Sequence, residues 1–250
     1  MNSSNSFLEN LYYSADEIKF KRNYIYSKFL NISENIKSSV IKKISTDDLY
    51  LLLKLYDETF LKGYLNENSH GNIHFSLSKR MTSSAGKTIY PGNIKYLPLC
   101  DIKFEIRMAV NFFFKFYETK GHKVVNGIIA NDAVEALQLV FEHEICHVLE
   151  LTMYRQSSCS GNRFKTMANR IFGHTKSYHE LPTASQIAKE NYKVSIGSKV
   201  VFKYNNLNLS GIITNINKRA TIMVLNNNGN YADKYGNKYI KYYVPLNMIL

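Results

Sequence analysis

Cysteine is scarce in this chain. Only Cys100, Cys146 and Cys159 occur in 250 residues. An odd number without framework spacing excludes a disulfide-stapled fold and fits a reducing compartment. No apolar run approaches about 18 residues, so no membrane-spanning helix is expected. Met1–Ser6 lacks a basic stretch followed by an apolar core, so a secretory signal is not expected either. Together these absences predict a cytoplasmic protein. No internal repeat is visible, which argues against a solenoid or propeller. Acidic residues are also few: 20 Asp and Glu stand against 32 Lys and Arg, for a net charge of +12. That balance suits polyanions such as DNA or RNA, or acidic protein partners. The Lys- and Asn-rich usage of an AT-rich genome gives the same excess, so charge alone assigns no partner.

What is present is ordinary enough for a folded protein. The hydrophobic share is 45%, sufficient for a sizeable core in one large or two small domains. Residues 1–45 read as a polar, loosely specified helical extension. Ser45 and Asp48 form a capping signature, and Leu49, Leu52, Leu53, Tyr56 and Phe60 follow at helical spacing until Gly63. Ile73–Ser78 alternates as a strand, and Lys87–Tyr90 and Ile94–Leu97 read as two more. Asp101–Tyr117 reads as a buried helix. Asn131 and Asp132 can cap a long helix running to about Tyr154. Another helix follows Gly161 and stops near Phe172-Gly173.

After Pro182 the texture changes. Residues 183–193 read as a linker, and 194–250 hold short β-rich runs separated by Gly and Asn turns. Four or five strands in under 60 residues predict a small barrel of the SH3 or KOW kind. From 191 onward eight bases face a single acid, Asp233, and Tyr204, Tyr231, Tyr235, Tyr239, Tyr242 and Tyr243 are interleaved with them. Bases and aromatics together could track a phosphate backbone and stack on bases, giving DNA or RNA as a candidate partner. The competing reading is a barrel whose tyrosines pack and whose lysines are solvated.

One stretch reads directly as chemistry. His143-Glu144-Ile145-Cys146-His147 is an H-E-x-x-H in the middle of the long apolar helix. Residues four apart share a helix face, so both imidazoles can grip one zinc ion while Glu144 reaches its water. Cys146 falls on another face and reads as a small buried apolar residue. The pattern predicts a zinc-dependent hydrolase, with a protein or peptide substrate, zinc as cofactor, His143 and His147 as ligands and Glu144 as general base. His70, His74 and His122 are isolated and read as surface or loop residues.

Further segments carry a resemblance. Leu55–Phe60, Ser76–Thr82 and Ala85-Gly86-Lys87-Thr88, followed by the motif helix, resemble the SprT-like metallopeptidase family, which includes the Spartan proteases acting on proteins crosslinked to DNA. The resemblance covers about residues 46–182. It implies an α+β fold: a zincin-type domain with a short sheet against the H-E-x-x-H helix, ahead of the small all-β barrel. The domain plan is then 1–45 extension, 46–182 zincin domain, 183–193 linker and 194–250 barrel. The family pattern places a third histidine in H-G-x-x-F, but here that position is Ser160, in Ser160-Gly161-Asn162-Arg163-Phe164. His174 is the expected replacement. Cys159, His179 and no third protein ligand are the alternatives, while Glu150 suits an outer role. A non-catalytic zincin scaffold that binds nucleic acid or protein is the second functional class, favoured by the missing histidine.

Overall fold

The computed structural model describes residues 3–69 and 71–250; His70 lies outside them. Contacts divide the chain into two compact units. One holds the residues up to Tyr117 and Gly121–Leu181; the other holds Glu118–Lys120 and Pro182–Leu250.

The first unit begins with α1 (Ser3–Asn10) and α2 (Ala15–Ile32). Ser14 and Glu17 cap α2 reciprocally. Only Ile18, Ile25 and Phe29 of α2 are buried. So thin an apolar stripe among charged residues explains why residues 1–45 look loosely specified, although Leu8, Ile25, Phe29 and Ile36 share the core of the whole unit. Helix α3 (Thr46–Phe60) starts at the expected Ser45–Asp48 box and buries Leu49, Leu52, Leu55, Tyr56 and Phe60. The buried Asp57 accepts from the backbone N–H groups of Leu65 and Asn66, which open α4 (Tyr64–Asn68).

A three-stranded sheet follows, built from β1 (Ile73–Ser78), β2 (Gly86–Ile89) and β3 (Phe104–Ala109) in the order β1-β3-β2. β1 runs parallel to β3 and β2 antiparallel, so β2 is a free edge. Two expectations fail here. Ile94–Tyr96 is a 3₁₀ turn rather than a strand. Residues 101–117 are not one helix but β3 followed by the short α5 (Val110–Phe114). Phe104, Ile106 and Met108 are buried, while Glu105 and Arg107 between them are half-exposed. That is period two, and the helix-spaced phenylalanines just downstream mask it.

β4 (Lys123–Val125) and β5 (Ile128–Ala130) form a hairpin absent from the sequence reading. Its turn residues Asn126 and Gly127 both have positive φ, 53° and 83°, as two-residue hairpin turns require. Helix α6 (Ala133–Tyr154) carries the motif, capped by Asp132, which accepts from Val134 and Glu135 N–H. It is buried almost all round and forms the centre of the unit. Arg155, with φ 56°, ends it. Helix α7 (Asn162–Phe172) stops at Gly173 as expected.

In the second unit, residues 183–193, read as a linker, contain helix α8 (Ala184–Tyr192), capped by a Thr183–Gln186 box. Strands β6 (Lys199–Tyr204), β7 (Leu207–Ile216), β8 (Ala220–Leu225), β9 (Tyr231–Ala232) and β10 (Lys238–Val244) form one antiparallel sheet ordered β6-β7-β8-β10-β9. The expected barrel is not formed, because the sheet does not close. Closure needs the outer strands to pair in a consistent register. β9 spans two residues, and on the edge away from β7 strand β6 makes a single bridge, from Phe202 to Ile249. Ala188 of α8 packs with Val200, Phe202, Ile213 and Ile222 in this unit's own core. Among the described residues, no helix is long and apolar enough to cross a membrane.

Candidate metal centre

One turn of α6 carries His143, Glu144 and His147. Their ring neighbours explain their placement. The imidazoles of His143 and His147 lie 4.9 Å apart between centroids, and the Phe164 ring packs on both at 4.9 and 4.5 Å. Phe164 is the matching residue of the H-G-x-x-F pattern, so α7 supports the pair with an aromatic face. Burial is the main reason that the His143 pKa falls to about 3, with the charge of His147 next; burial likewise lowers His147 to about 4. Both rings are therefore neutral at neutral pH and offer lone pairs without competing protons.

His147 and Glu144 each have a hydrogen-bond partner that restrains them. Ser157 Oγ lies 2.7 Å from His147 Nδ1; a hydrogen bond there leaves Nε2 for a metal. Glu144 is buried, 4% exposed. Thr88 Oγ1 donates to its Oε2 at 2.7 Å. Gly86 backs onto the same carboxylate: a Cβ at that position would stand 2.5 Å from Glu144 Oε1. Burial raises the Glu144 pKa to about 7, against the pull of the Thr88 hydrogen bonds. Strand β2 thus positions the glutamate, a role not visible from the pentapeptide.

Gly86, Thr88, His143, Glu144, His147, Cys159 and His179 all line one cleft of about 360 Å³. The donor atoms of His143, His147 and Cys159 lie within 4.8 Å of one another. Tetrahedral zinc with bonds of about 2.0–2.3 Å separates its donors by roughly 3.5 Å. Modest side-chain closure would therefore make the group fit zinc, and two neutral imidazoles with a thiol are suitable donors for it.

The other candidates are placed elsewhere. His174 is not in that group. It is 3% exposed, and its Nε2 donates to Glu142 Oε2 at 2.8 Å. Glu142 is buried and also receives both Arg22 Nε and Nη2 and the Tyr56 hydroxyl, each at 2.8 Å. Glu142, the carboxylate of this buried network, is not among the residues the sequence singled out. Ser160 is exposed and pairs with Ser158. Glu150 is 2% exposed and accepts from Ser158 N–H and Arg163 Nε. His179 lines the cleft outside the donor group. Its backbone bridges Val125, its ring meets Phe112 edge-on, and its Nδ1 accepts from Leu181 N–H at 3.3 Å. His74 and His122 are exposed.

A motif helix over a small mixed sheet, with paired histidines and a buried glutamate facing a cleft, is consistent with the zincin class of metallopeptidases. The family model described as the SprT-like family matches residues 49–191, more than half of the chain. The chain belongs to the SprT-like family. No curated protein and no solved structure matches it.

Proposed function

We propose that the protein is a zinc-dependent metallopeptidase with Glu144 as general base. The observation that carries this reading is the buried Glu144 carboxylate, held by Thr88 and Gly86 beside two neutral imidazoles in one cleft. His143 and His147 would hold the metal. Bound zinc supplies acidification of a water molecule and polarisation of the scissile carbonyl. Glu144, held in the same cleft by the Thr88 hydrogen bond, would take the proton of the attacking water and return it to the leaving nitrogen. The free edge of β2 lines the cleft and offers backbone groups to an extended peptide. Because His179 Nδ1 accepts from Leu181, its Nε2 carries the proton and can donate to a substrate carbonyl oxygen. Glu144→Gln should retain one zinc and lose about 10²–10⁴-fold of casein hydrolysis. A fully active variant would overturn the reading.

We further propose that the second unit binds nucleic acid. Its lysines dominate, and Tyr204, Tyr231, Tyr235 and Tyr243 are exposed rather than packed away. Tyr242 instead packs on Phe202 and Tyr204, so the tyrosines serve both purposes. Replacing Lys199, Lys203, Lys218 and Lys241 by Gln in the intact chain should weaken binding of a single-stranded oligonucleotide. It should also flatten the dependence of log affinity on log salt, by about 0.7 for each phosphate contact removed. An unchanged salt slope would leave the unit without this role.

A further inference from the structure

We infer that Cys159 is the third protein ligand of the metal centre, in place of the histidine that Ser160 lacks. The inference rests on the metal-centre reading above and names its ligand set. Three lines converge on this thiol. First, its Sγ falls in the same donor group as His143 and His147, within 4.8 Å, and it is a free, half-buried cysteine lining the cleft. Second, the competing donors lie outside that group, each with another partner. His174 donates its Nε2–H to Glu142, Glu150 accepts from Ser158 and Arg163, and Ser160 pairs with Ser158 at the surface. His179 stands outside the donor group, with Nδ1 taken by Leu181.

Third, the loop that carries Cys159 is built to hold its place. Arg155 turns the chain at the end of α6 with φ 56°. Ser157 then bonds His147, and the next residue, Ser158, donates its N–H to Glu150 at 3.0 Å. Gly161 N–H closes back on the Ser158 carbonyl at 2.9 Å. Arg163 ties α7 to Glu150 Oε1 at 2.7 Å and to the Gln156 carbonyl at 3.1 Å. Residues on both sides of Cys159 are thus fastened to the helix that bears the two histidines. The sequence places the cysteine one residue before the family's ligand position, and this braced turn brings it to the same centre.

A thiolate ligand changes the chemistry. On coordination the S–H proton leaves to solvent and a sulfur–metal bond forms. The centre then carries one positive charge less than with three neutral imidazoles. Sulfur ligation also has a signature that nitrogen ligation lacks: a strong sulfur-to-metal charge-transfer absorption in the near ultraviolet when cobalt(II) replaces zinc.

The test is cobalt(II) substitution of the full chain, with Cys100→Ser as background, read by absorption, metal stoichiometry and casein hydrolysis. The expected result is one cobalt and a charge-transfer band. Cys159→Ser should lose the band and bind zinc at least about 100-fold more weakly, since loss of outer partners alone costs 10–100-fold. Cys159→His should bind one metal without the band, which keeps the test decisive if the serine variant folds poorly. A band-less wild-type cobalt form, or unchanged zinc affinity in Cys159→Ser, overturns the inference. Casein cleavage with a band-less cobalt form removes Cys159 but keeps the peptidase. The band with no cleavage by the zinc form keeps Cys159 and overturns the peptidase. No metal uptake overturns both.

Discussion

Glu144 and His147 each depend on a neighbour that fixes a proton or a position. Glu144 has Thr88 and the bare face of Gly86. His147 has Ser157, ten residues away and beyond the end of the helix. Outer hydrogen bonds of this type orient a ligand and raise its basicity. Ser157→Ala should therefore lower zinc affinity about 10–100-fold with the fold intact, as measured by competition with a metallochromic chelator. The histidine pair and its glutamate were readable from the sequence, because i,i+4 spacing on a helix dictates a shared face. Thr88 and Ser157 were not. Nothing local in their sequence says which carboxylate or imidazole a fold will bring to them.

At the scale of elements, caps and turns account for most of what was legible. The Ser45–Asp48 box stands where the sequence placed it, and Asp48 also accepts from Ser33 Oγ and Asn35 Nδ2. Burial works to raise the Asp48 pKa, but these hydrogen bonds, Ser33's first, win and leave it lowered. A depressed carboxyl contributes stability that is full above its unfolded pKa near 3.9 and lost as pH falls through the folded value. Asp48→Asn should thus be less stable than wild type at neutral pH, by about 1 kcal/mol as for other cap losses. The gap should shrink in urea titrations below about pH 4. The missed elements have equally specific causes. Asn126-Gly127 is a hairpin signal between two valines and two isoleucines, overshadowed by the longer helix that follows. Thr183 and Gln186 spell a capping box inside a stretch read as a linker.

At the scale of the whole first unit, a buried charge set gathers around Glu142. Arg22 comes from α2, Tyr56 from α3, Glu142 from α6, and His174 from the segment after α7. Burial pushes the Glu142 carboxyl up, yet the Arg22 charge and the hydrogen bonds from His174 and Arg22 hold it down at about 2. Residues 15–32 therefore belong energetically to the first unit. Removing one partner of such a pair strands a buried charge, at a cost of about 3–5 kcal/mol. Arg22→Ala should lower the urea midpoint accordingly; a midpoint shift worth under about 1 kcal/mol would show the network to be dispensable.

By itself the sequence determined the motif helix, its caps, the α+β character, the family and the vacancy at Ser160, because these follow from short-range periodicity, spacing and chain-local chemistry. Only the tertiary structure decided what stands beside that vacancy. His174 lies one residue beyond the helix stop at Gly173, and from spacing alone it was free to approach the pair. In the fold it is drawn to Glu142 by a buried carboxylate that needs donors. Cys159 reaches the pair because the turn after α6 is fastened at Ser157, Ser158 and Arg163. Whether the last five strands close into a barrel was likewise undetermined by their pattern, since closure depends on which edges meet and in what register.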